Sequence, residues 1–291
     1  MARDGSHRHN YDLTTAQEAA VTYETLLYSV DDRVAVVAFN RPDRMNSFSL
    51  KLRQELVAAL KAADADPEVR VVVIKGTGGK AFSAGYDIKE TADGKQRSMD
   101  EWRALLGEEY QFCLSPWECS KPVIAQIEGH CLAGGLEFAQ MCDIRYASED
   151  SKFGVVETRF SNGILMLAMP WVIGQLSREL IFTGDTFGAA EAMRLGLVNR
   201  VFPKADLEQE TMKIAKRMSR VAEACLRWNK RAINNTFETM GFRSALQYGF
   251  EACVIMDATD TPEYKAFNKL RTTEGLNAAL THLRDTFKPY E

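Results

Sequence analysis

The chain has 291 residues, of which 46% are hydrophobic and 26% are charged, so it can bury a full core and is not disordered as a whole. The formal net charge of -4 gives no basic field for nucleic acid, and no stretch approaches the ~18 uncharged apolar residues that cross a bilayer. We therefore expect neither a nucleic-acid partner nor a membrane partner.

The N-terminus and the cysteines predict a compartment. Residues 1–21 are polar, lack the apolar core of a secretory signal and are predicted to form a disordered tail. The six cysteines form no CxxC pair, which is typical of reduced thiols, and the pair His7 and His9 has no acidic or thiol companion for a metal. We expect a cytoplasmic protein with no bound metal.

The first predicted elements are a β-hairpin, a helix and a buried strand. Two β-rich runs, residues 22–30 and 33–39, flank a turn at Asp31-Asp32. Apolar residues at helical spacing follow in residues 49–63, with Ser49 as the N-cap. The β-branched run at residues 71–74 is typical of a strand that is buried on both faces.

The alternation of helix and strand continues to about residue 204 and then stops. Residues 99–114 and 135–141 have helical periodicity, and residues 122–127 and 143–147 are predicted strands. This order indicates an α/β fold with a mostly parallel sheet. The later segments are all helix-like, and they are residues 207–218, 222–240, 244–257 and 263–283.

Two glycine-bearing loops follow predicted strands. Residues 81–90 (AFSAGYDIKE) follow the strand at 71–74, and residues 127–137 (IEGHCLAGGLE) lead from a strand into a helix. Small residues let a ligand approach the backbone, and the amides at a helix N-terminus are unpaired. One N–H from each loop would form an oxyanion hole for a single carbonyl oxygen.

Two glutamates near these loops lie outside charged runs. Glu137 is about one turn past the glycine pair, and Glu157 follows a short strand in the sequence FGVVE. An acid among apolar neighbours is a candidate for a raised pKa and for proton transfer near neutral pH. Taken alone, each signal is equally consistent with tight packing or with a helix-dipole partner.

In their joint order, these motifs resemble those of the crotonase, or enoyl-CoA hydratase/isomerase, superfamily. The resemblance is close over residues 22–203 and looser over the helical C-terminus. It implies a crotonase-like ββα-superhelix core with a mostly parallel sheet, followed by a C-terminal helical region. The matching segments are NRPDRMN (40–46), AGYDI (84–88), AGGLE (133–137), FTGD (182–185) and GLVN (196–199).

The resemblance also implies roles for individual residues. The main-chain amides of Tyr86 and Gly134 are expected to form the oxyanion hole, and Glu137 and Glu157 are expected to be the catalytic acids. The residues expected to contact coenzyme A or the rest of the substrate are Arg44, Ala84, Ile88, Lys89 and Phe160.

The two glutamates favour a hydratase, which would add water across the 2,3 double bond of an enoyl-CoA thioester. Glu157 would deliver the proton to the α-carbon, and Glu137 would activate the water. Coenzyme A is then part of the acyl-CoA substrate, and no further cofactor is expected. Two alternatives stay open: an enoyl-CoA isomerase that uses Glu157 alone, and a non-catalytic acyl-CoA-binding relative.

One segment departs from the family pattern. After Glu157 the family continues with a glycine-rich turn, whereas this chain has a largely apolar run at residues 158–170. This region borders the acyl chain in the family. Phe160, Met166 and Met169 therefore either line an apolar acyl pocket or belong to the ordinary core.

The predicted organisation has three parts. The tail at residues 1–21 precedes an α/β core at 22–204, which holds the coenzyme A and active sites, and a helical region at 205–291, which mediates oligomerisation. The resemblance further implies a homotrimer or a dimer of trimers, and a place in fatty-acid metabolism.

Overall fold

The computed structural model describes residues 22–91, 97–259 and 261–290. The tail predicted for residues 1–21 lies outside the described residues. None of the described helices combines the length and the apolar character that a membrane span requires.

The described residues form an α/β structure in which the strands come before most of the long helices. The strands are β1 (Leu26–Asp31), β2 (Val34–Phe39), β3 (Val71–Gly76), β4 (Ala81–Ser83), β5 (Val123–Ile127), β6 (His130–Leu132), β7 (Ile144–Ser148), β8 (Lys152–Gly154), β9 (Thr186–Gly188) and β10 (Arg200–Phe202). The α-helices are α1 (Leu50–Ala65), α2 (Ile88–Thr91), α3 (Met99–Glu118), α4 (Gly134–Met141), α5 (Met169–Ile173), α6 (Ser177–Thr183), α7 (Ala189–Arg194), α8 (Leu207–Met218), α9 (Glu223–Thr239), α10 (Phe242–Asp257), α11 (Pro262–Glu274) and α12 (Leu276–Phe287).

The larger sheet has six strands in the order β1-β2-β3-β5-β7-β10, and only the β1–β2 hairpin is antiparallel. Asp31 pairs with Val34, so the turn residues are Asp32 and Arg33, one position later than predicted. Their φ angles of 50° and 68° are those of a two-residue type I′ turn. The predicted α/β fold with a mostly parallel sheet is confirmed.

A second sheet has four short strands in the order β4-β6-β8-β9. Each strand has three residues, which is too short for the alternation of polar and apolar side chains that predicts a strand. Strands β4, β6 and β8 run parallel, so their carboxyl ends meet at one edge. That edge carries both glycine loops and the segment with Glu157.

A cluster of phenylalanine rings packs beneath this edge. Phe39 of β2 makes edge-to-face contacts with Phe48, Phe82 and Phe138, at centroid distances of 5.4, 5.3 and 5.9 Å. Phe138 of α4 also stacks on Phe112 of α3 at 5.1 Å. Because the rings come from both sheets and two helices, the cluster fixes the base of both glycine loops.

Helix α10 packs on the main core through Phe242, Leu246 and Phe250, whereas α8 belongs to a second, smaller apolar cluster. Leu207 and Ile214 of α8 cover the face of the large sheet formed by Val71 and Val73.

The prediction of a single helix over residues 263–283 is wrong, because α11 ends at Glu274 and α12 begins at Leu276. Gly275 between them has a φ of 94°. An L-residue rarely adopts this conformation, whereas glycine does so at little cost.

Candidate active site

The two glycine loops touch each other at the carboxyl edge of the short sheet. Gly85 turns the first loop with a φ of 90°, and a Cβ at this position would lie 3.0 Å from the amide nitrogen of Gly134. Gly134 is the first residue of α4, so its N–H has no intrahelical acceptor. Among the described residues, neither the Tyr86 nor the Gly134 amide donates a hydrogen bond. Both N–H groups are therefore available to an acceptor in the cavity.

Glycine is required where α4 begins. A Cβ at Gly134 would lie 2.6 Å from Cε2 of Tyr86, and a Cβ at Gly135 would lie 2.4 Å from the carbonyl oxygen of Ser83. Side chains do not approach other atoms so closely, so any larger residue would push the loops apart. The sequence AGG at positions 133–135 thus serves the contact between the loops.

Glu137 lies in the first turn of α4 and is only 4% exposed. Its carboxylate accepts hydrogen bonds from the backbone amides of Leu165 (3.1 Å) and Met166 (3.0 Å). Burial raises the pKa of Glu137 above its ordinary value, and these two donors act in the opposite direction by stabilising the carboxylate.

Glu157 lies in a 3-10 turn after β8 and is 8% exposed. No N–H or O–H of the described residues donates to either of its carboxyl oxygens. Burial, and then the negative charge of Glu137, raise the pKa of Glu157 well above its ordinary value. The two carboxyl groups influence each other electrostatically, and their environments favour Glu157 as the one that keeps a proton.

Both glutamates line one cavity of about 400 Å³. Hollows of about 610 and 770 Å³ elsewhere on the surface contain neither of them. The cavity brings together most of the site residues predicted from the sequence, namely Ala84, Tyr86, Ile88, Gly134, Glu137, Glu157 and Phe160.

The remaining predicted residues lie outside this cavity. Lys89 is exposed, and Arg44 is exposed beside Asp43, with its Nε 3.6 Å from Oδ2 of that residue. Their contact with coenzyme A stays a prediction. Met166 and Met169 are fully buried in the core and do not line the cavity, which favours the core interpretation for both.

Arg41, which the sequence analysis did not single out, ties the NRPDRMN segment to the AGYDI loop. Its guanidinium donates to the carbonyl of Ser47 (2.6 Å) and pairs with Asp87 (2.8 Å). Burial raises the pKa of Asp87, but hydrogen bonds from Arg41 and from the Lys89 amide outweigh it, and the net pKa is lowered. The ion pair thus holds the loop that carries the Tyr86 amide.

Several polar residues of the cavity were also missed. Glu109 of α3 is 4% exposed, and burial raises its pKa to about 7 although Arg53 opposes the shift. Asp257 at the end of α10 accepts from the Gly163 amide at 2.9 Å, and burial raises its pKa to about 6. Glu109 follows Glu108 in a helix and so has the sequence pattern of a solvated charged face.

Comparisons with known proteins agree on one family. A sequence model described as enoyl-CoA hydratase/isomerase matches residues 29–278. The chain is 35% identical to the probable enoyl-CoA hydratase echA8 of Mycobacterium bovis, over 75% of this chain and 84% of that protein. It is 33% identical to the crotonyl-CoA hydratase of Syntrophomonas wolfei, over 75% of this chain and 85% of that protein. An enoyl-CoA hydratase/isomerase structure from Xanthobacter autotrophicus Py2 superposes with a TM-score of 0.88 at 34% identity, covering 91% of this chain and 99% of that one.

Proposed function

The chain belongs to the enoyl-CoA hydratase/isomerase family and is an enzyme of that family, and we propose that it adds water across the 2,3 double bond of an enoyl-CoA thioester. The proposal rests on two neighbouring acids, one with backbone hydrogen-bond donors and one without, in the cavity that also holds the Tyr86 and Gly134 amides. Two backbone N–H groups donate to Glu137 and favour its carboxylate form, whereas Glu157 has no such donor and burial beside Glu137 favours its protonated form. Hydration needs one base and one acid, and this pair can supply both.

In the proposed reaction, the thioester oxygen accepts hydrogen bonds from the amides of Tyr86 and Gly134. These donors stabilise the negative charge that develops on that oxygen as the enolate forms. Glu137 takes a proton from a water molecule, whose oxygen attacks carbon 3, and Glu157 gives its proton to carbon 2. Transfer of the proton from Glu137 back to Glu157 then resets the pair for another turnover.

This reaction needs no cofactor beyond the coenzyme A that the substrate carries. Glu157 supplies the proton for carbon 2, Glu137 takes one from water, and the amides supply the charge stabilisation. Addition of a chelator to purified enzyme should leave the hydration rate unchanged.

Loss of the conjugated-thioester absorbance of crotonyl-CoA tests the proposal. Wild-type protein should remove this absorbance, and both Glu157→Gln and Glu137→Gln should slow the removal by about 10²- to 10⁴-fold, as expected for loss of a general acid or base. Glu149→Gln changes an exposed acid outside the cavity and serves as the matched control. Absence of turnover with any enoyl-CoA, together with tight acyl-CoA binding, would leave only the non-catalytic alternative.

The isomerase alternative makes a different demand on Glu157. An isomerase must first take a proton from carbon 2 of a 3-enoyl-CoA, so its single glutamate must be ionised. The burial of Glu157 beside Glu137 opposes that ionisation. Full activity of Glu137→Gln on a 3-enoyl-CoA, without addition of water, would establish isomerisation and refute hydration.

We also propose a homotrimer, or a dimer of trimers, assembled through the C-terminal helices. Large apolar side chains on α9 and α10 are exposed, which supports an interface there. Light scattering after gel filtration should give the mass of a trimer or hexamer, and Tyr248→Glu with Ile255→Glu should give monomers. A monomeric wild-type protein would contradict the assembly. The exposed side chains are Trp228, Ile233, Tyr248 and Ile255.

A cytoplasmic location is proposed from the thiols. All six cysteines are free and five of them are buried, as is usual in a reducing compartment. Cell fractionation with an antibody to the chain tests this, and recovery outside the cytoplasmic fraction would contradict it.

A further inference from the structure

The side chain of Tyr86 lies between the two glycine loops, although the proposed reaction uses only the main-chain amide of this residue. The space that a Cβ of Gly134 would occupy is 2.6 Å from Cε2 and 2.8 Å from Cδ2 of the Tyr86 ring. The ring therefore packs directly against the Cα of Gly134. The residue that supplies one amide donor thus limits, through its ring, how closely the second donor approaches.

Backbone contacts hold Tyr86 from one side only. The amide of Phe48 donates to the carbonyl of Gly85 at 2.8 Å, and the carbonyl of Phe48 accepts from the amide of Asp87 at 3.2 Å. These two bonds form a single parallel bridge between Phe48 and Tyr86, so the Tyr86 N–H points away from Phe48. A single bridge restrains the loop less than a ladder of several pairs does, so the direction of this N–H depends also on the ring.

The far end of the ring is anchored to α3. The Tyr86 hydroxyl lies 3.2 Å from Sγ of Cys113 and forms a hydrogen bond with it, and Cys113 is fully buried. Among the described residues, Cys113 is the one hydrogen-bond partner of this hydroxyl. Burial raises the pKa of the hydroxyl and of the thiol well above their ordinary values, so the bond joins two neutral groups near neutral pH.

Helices α3 and α4 are held together beside this anchor. Phe112, the residue before Cys113, stacks on Phe138 of α4 with a centroid distance of 5.1 Å. Cys113 on α3 and Gly134 at the start of α4 are therefore parts of one packed unit, and the Tyr86 ring contacts both. Release of the hydroxyl end would let the ring tilt and would change the separation of the two amides.

We propose that the side chain of Tyr86 sets the separation of the two oxyanion donors, and that Cys113 is a positioning residue that acts through the Tyr86 hydroxyl. A phenylalanine ring would fill the same space, but it would have no directional contact at its far end. The inference rests on the proposed function, because it assigns both side chains to the alignment of donors toward the thioester oxygen.

The carbonyl stretching frequency of a bound thioester measures this alignment. Hydrogen bonds to a carbonyl oxygen weaken the C=O bond, so butyryl-CoA that is isotope-labelled at the thioester carbonyl should absorb at a lower infrared frequency on the wild-type protein than in solution. Tyr86→Phe and Cys113→Ala should each return the frequency part of the way to its value in solution. Cys119→Ala removes another buried thiol, at the end of α3 and outside the cavity, and should keep the wild-type frequency.

Rates of crotonyl-CoA hydration test whether the two side chains act as one unit. Each single substitution should lower kcat by about tenfold and leave KM nearly unchanged, which is less than the loss of about 10²- to 10³-fold on removal of a donor. The double variant, Tyr86→Phe with Cys113→Ala, should be no slower than the slower single variant, because both changes remove the same contact. A loss of about 100-fold in the double variant, the product of the single effects, would overturn the inference.

Tyr86→Phe keeps the test decisive if Cys113→Ala does not fold. Wild-type carbonyl frequency and kcat in Tyr86→Phe would overturn the inference. A frequency on the wild-type protein equal to that in solution would overturn it as well, because the amides would then not hold the carbonyl. A lowered frequency without hydration of crotonyl-CoA would refute the proposed function alone and leave the comparison of frequencies valid.

Discussion

Gly135→Ala should separate the two amide donors. The added Cβ would lie 2.4 Å from the carbonyl oxygen of Ser83. A carbon and a carbonyl oxygen pack no closer than about 3.3 Å, so the start of α4 must move by about 0.9 Å away from β4. The amide of Gly134 moves with it, and a displacement of ~1 Å lowers catalytic rate by about 100-fold. The overpacking should also lower the free energy of unfolding by about 1–3 kcal/mol.

The assay is the kcat/KM for crotonyl-CoA hydration, with urea unfolding measured on the same samples. Gly107→Ala is the control, because its Cβ meets no atom within 4 Å in the middle of α3. That change should stabilise the helix by about 0.5–1 kcal/mol and leave hydration unchanged. Wild-type kcat/KM in Gly135→Ala would refute the claim that this contact positions the oxyanion donors.

Three further predictions concern the acids and two buried polar residues. The rate of hydration should be bell-shaped in pH. The pKa values of Glu137 and Glu157 are both raised, so the acidic limb should lie above 4.5, where the base becomes protonated, and the alkaline limb should appear where the pair loses its last proton. A hydration rate that stays constant as the pH falls through this range would contradict the roles assigned to the two glutamates. Asn46→Leu should lower the free energy of unfolding by about 3 kcal/mol in urea titrations, because its fully buried amide bonds three backbone groups. Lys230→Met should cost about 3 kcal/mol in the same measurement, because it leaves Asp143 without its buried partner, 2.8 Å away.

Long elements with a clear period could be predicted from the sequence. The hairpin and α1 with its Ser49 cap are confirmed, because each has local chemistry that agrees with its tertiary environment. The break at Gly275 was missed because helical periodicity continues on both sides of it, and an isolated glycine is tolerated in a helix. Of the second sheet, only the short strand before Glu157 was predicted, because three residues cannot show a period of two.

In the candidate site too, residues within local motifs could be predicted, whereas residues placed by tertiary packing could not. Motif order was sufficient to predict the residues that line the cavity near the glycine loops, since each of them lies in or next to a short motif that can be recognised in the sequence. The part of the cavity lined by α11 could not be predicted, because it depends on how Phe267 of α11 packs against Phe160. Nor does the sequence show that Glu109 is buried, because the contact with Arg53 joins two helices that are remote in the chain.

The hydrogen bonds from Leu165 and Met166 to Glu137 give the 158–170 segment two tasks at once. Its side chains help to shape the space near the acyl group, while its main chain sets the position and basicity of the group that would activate water. A change of acyl preference made by altering this segment would therefore shift the rate constant and its pH dependence together. Substitutions in this segment therefore cannot change the acyl preference of this enzyme without also changing its catalytic rate.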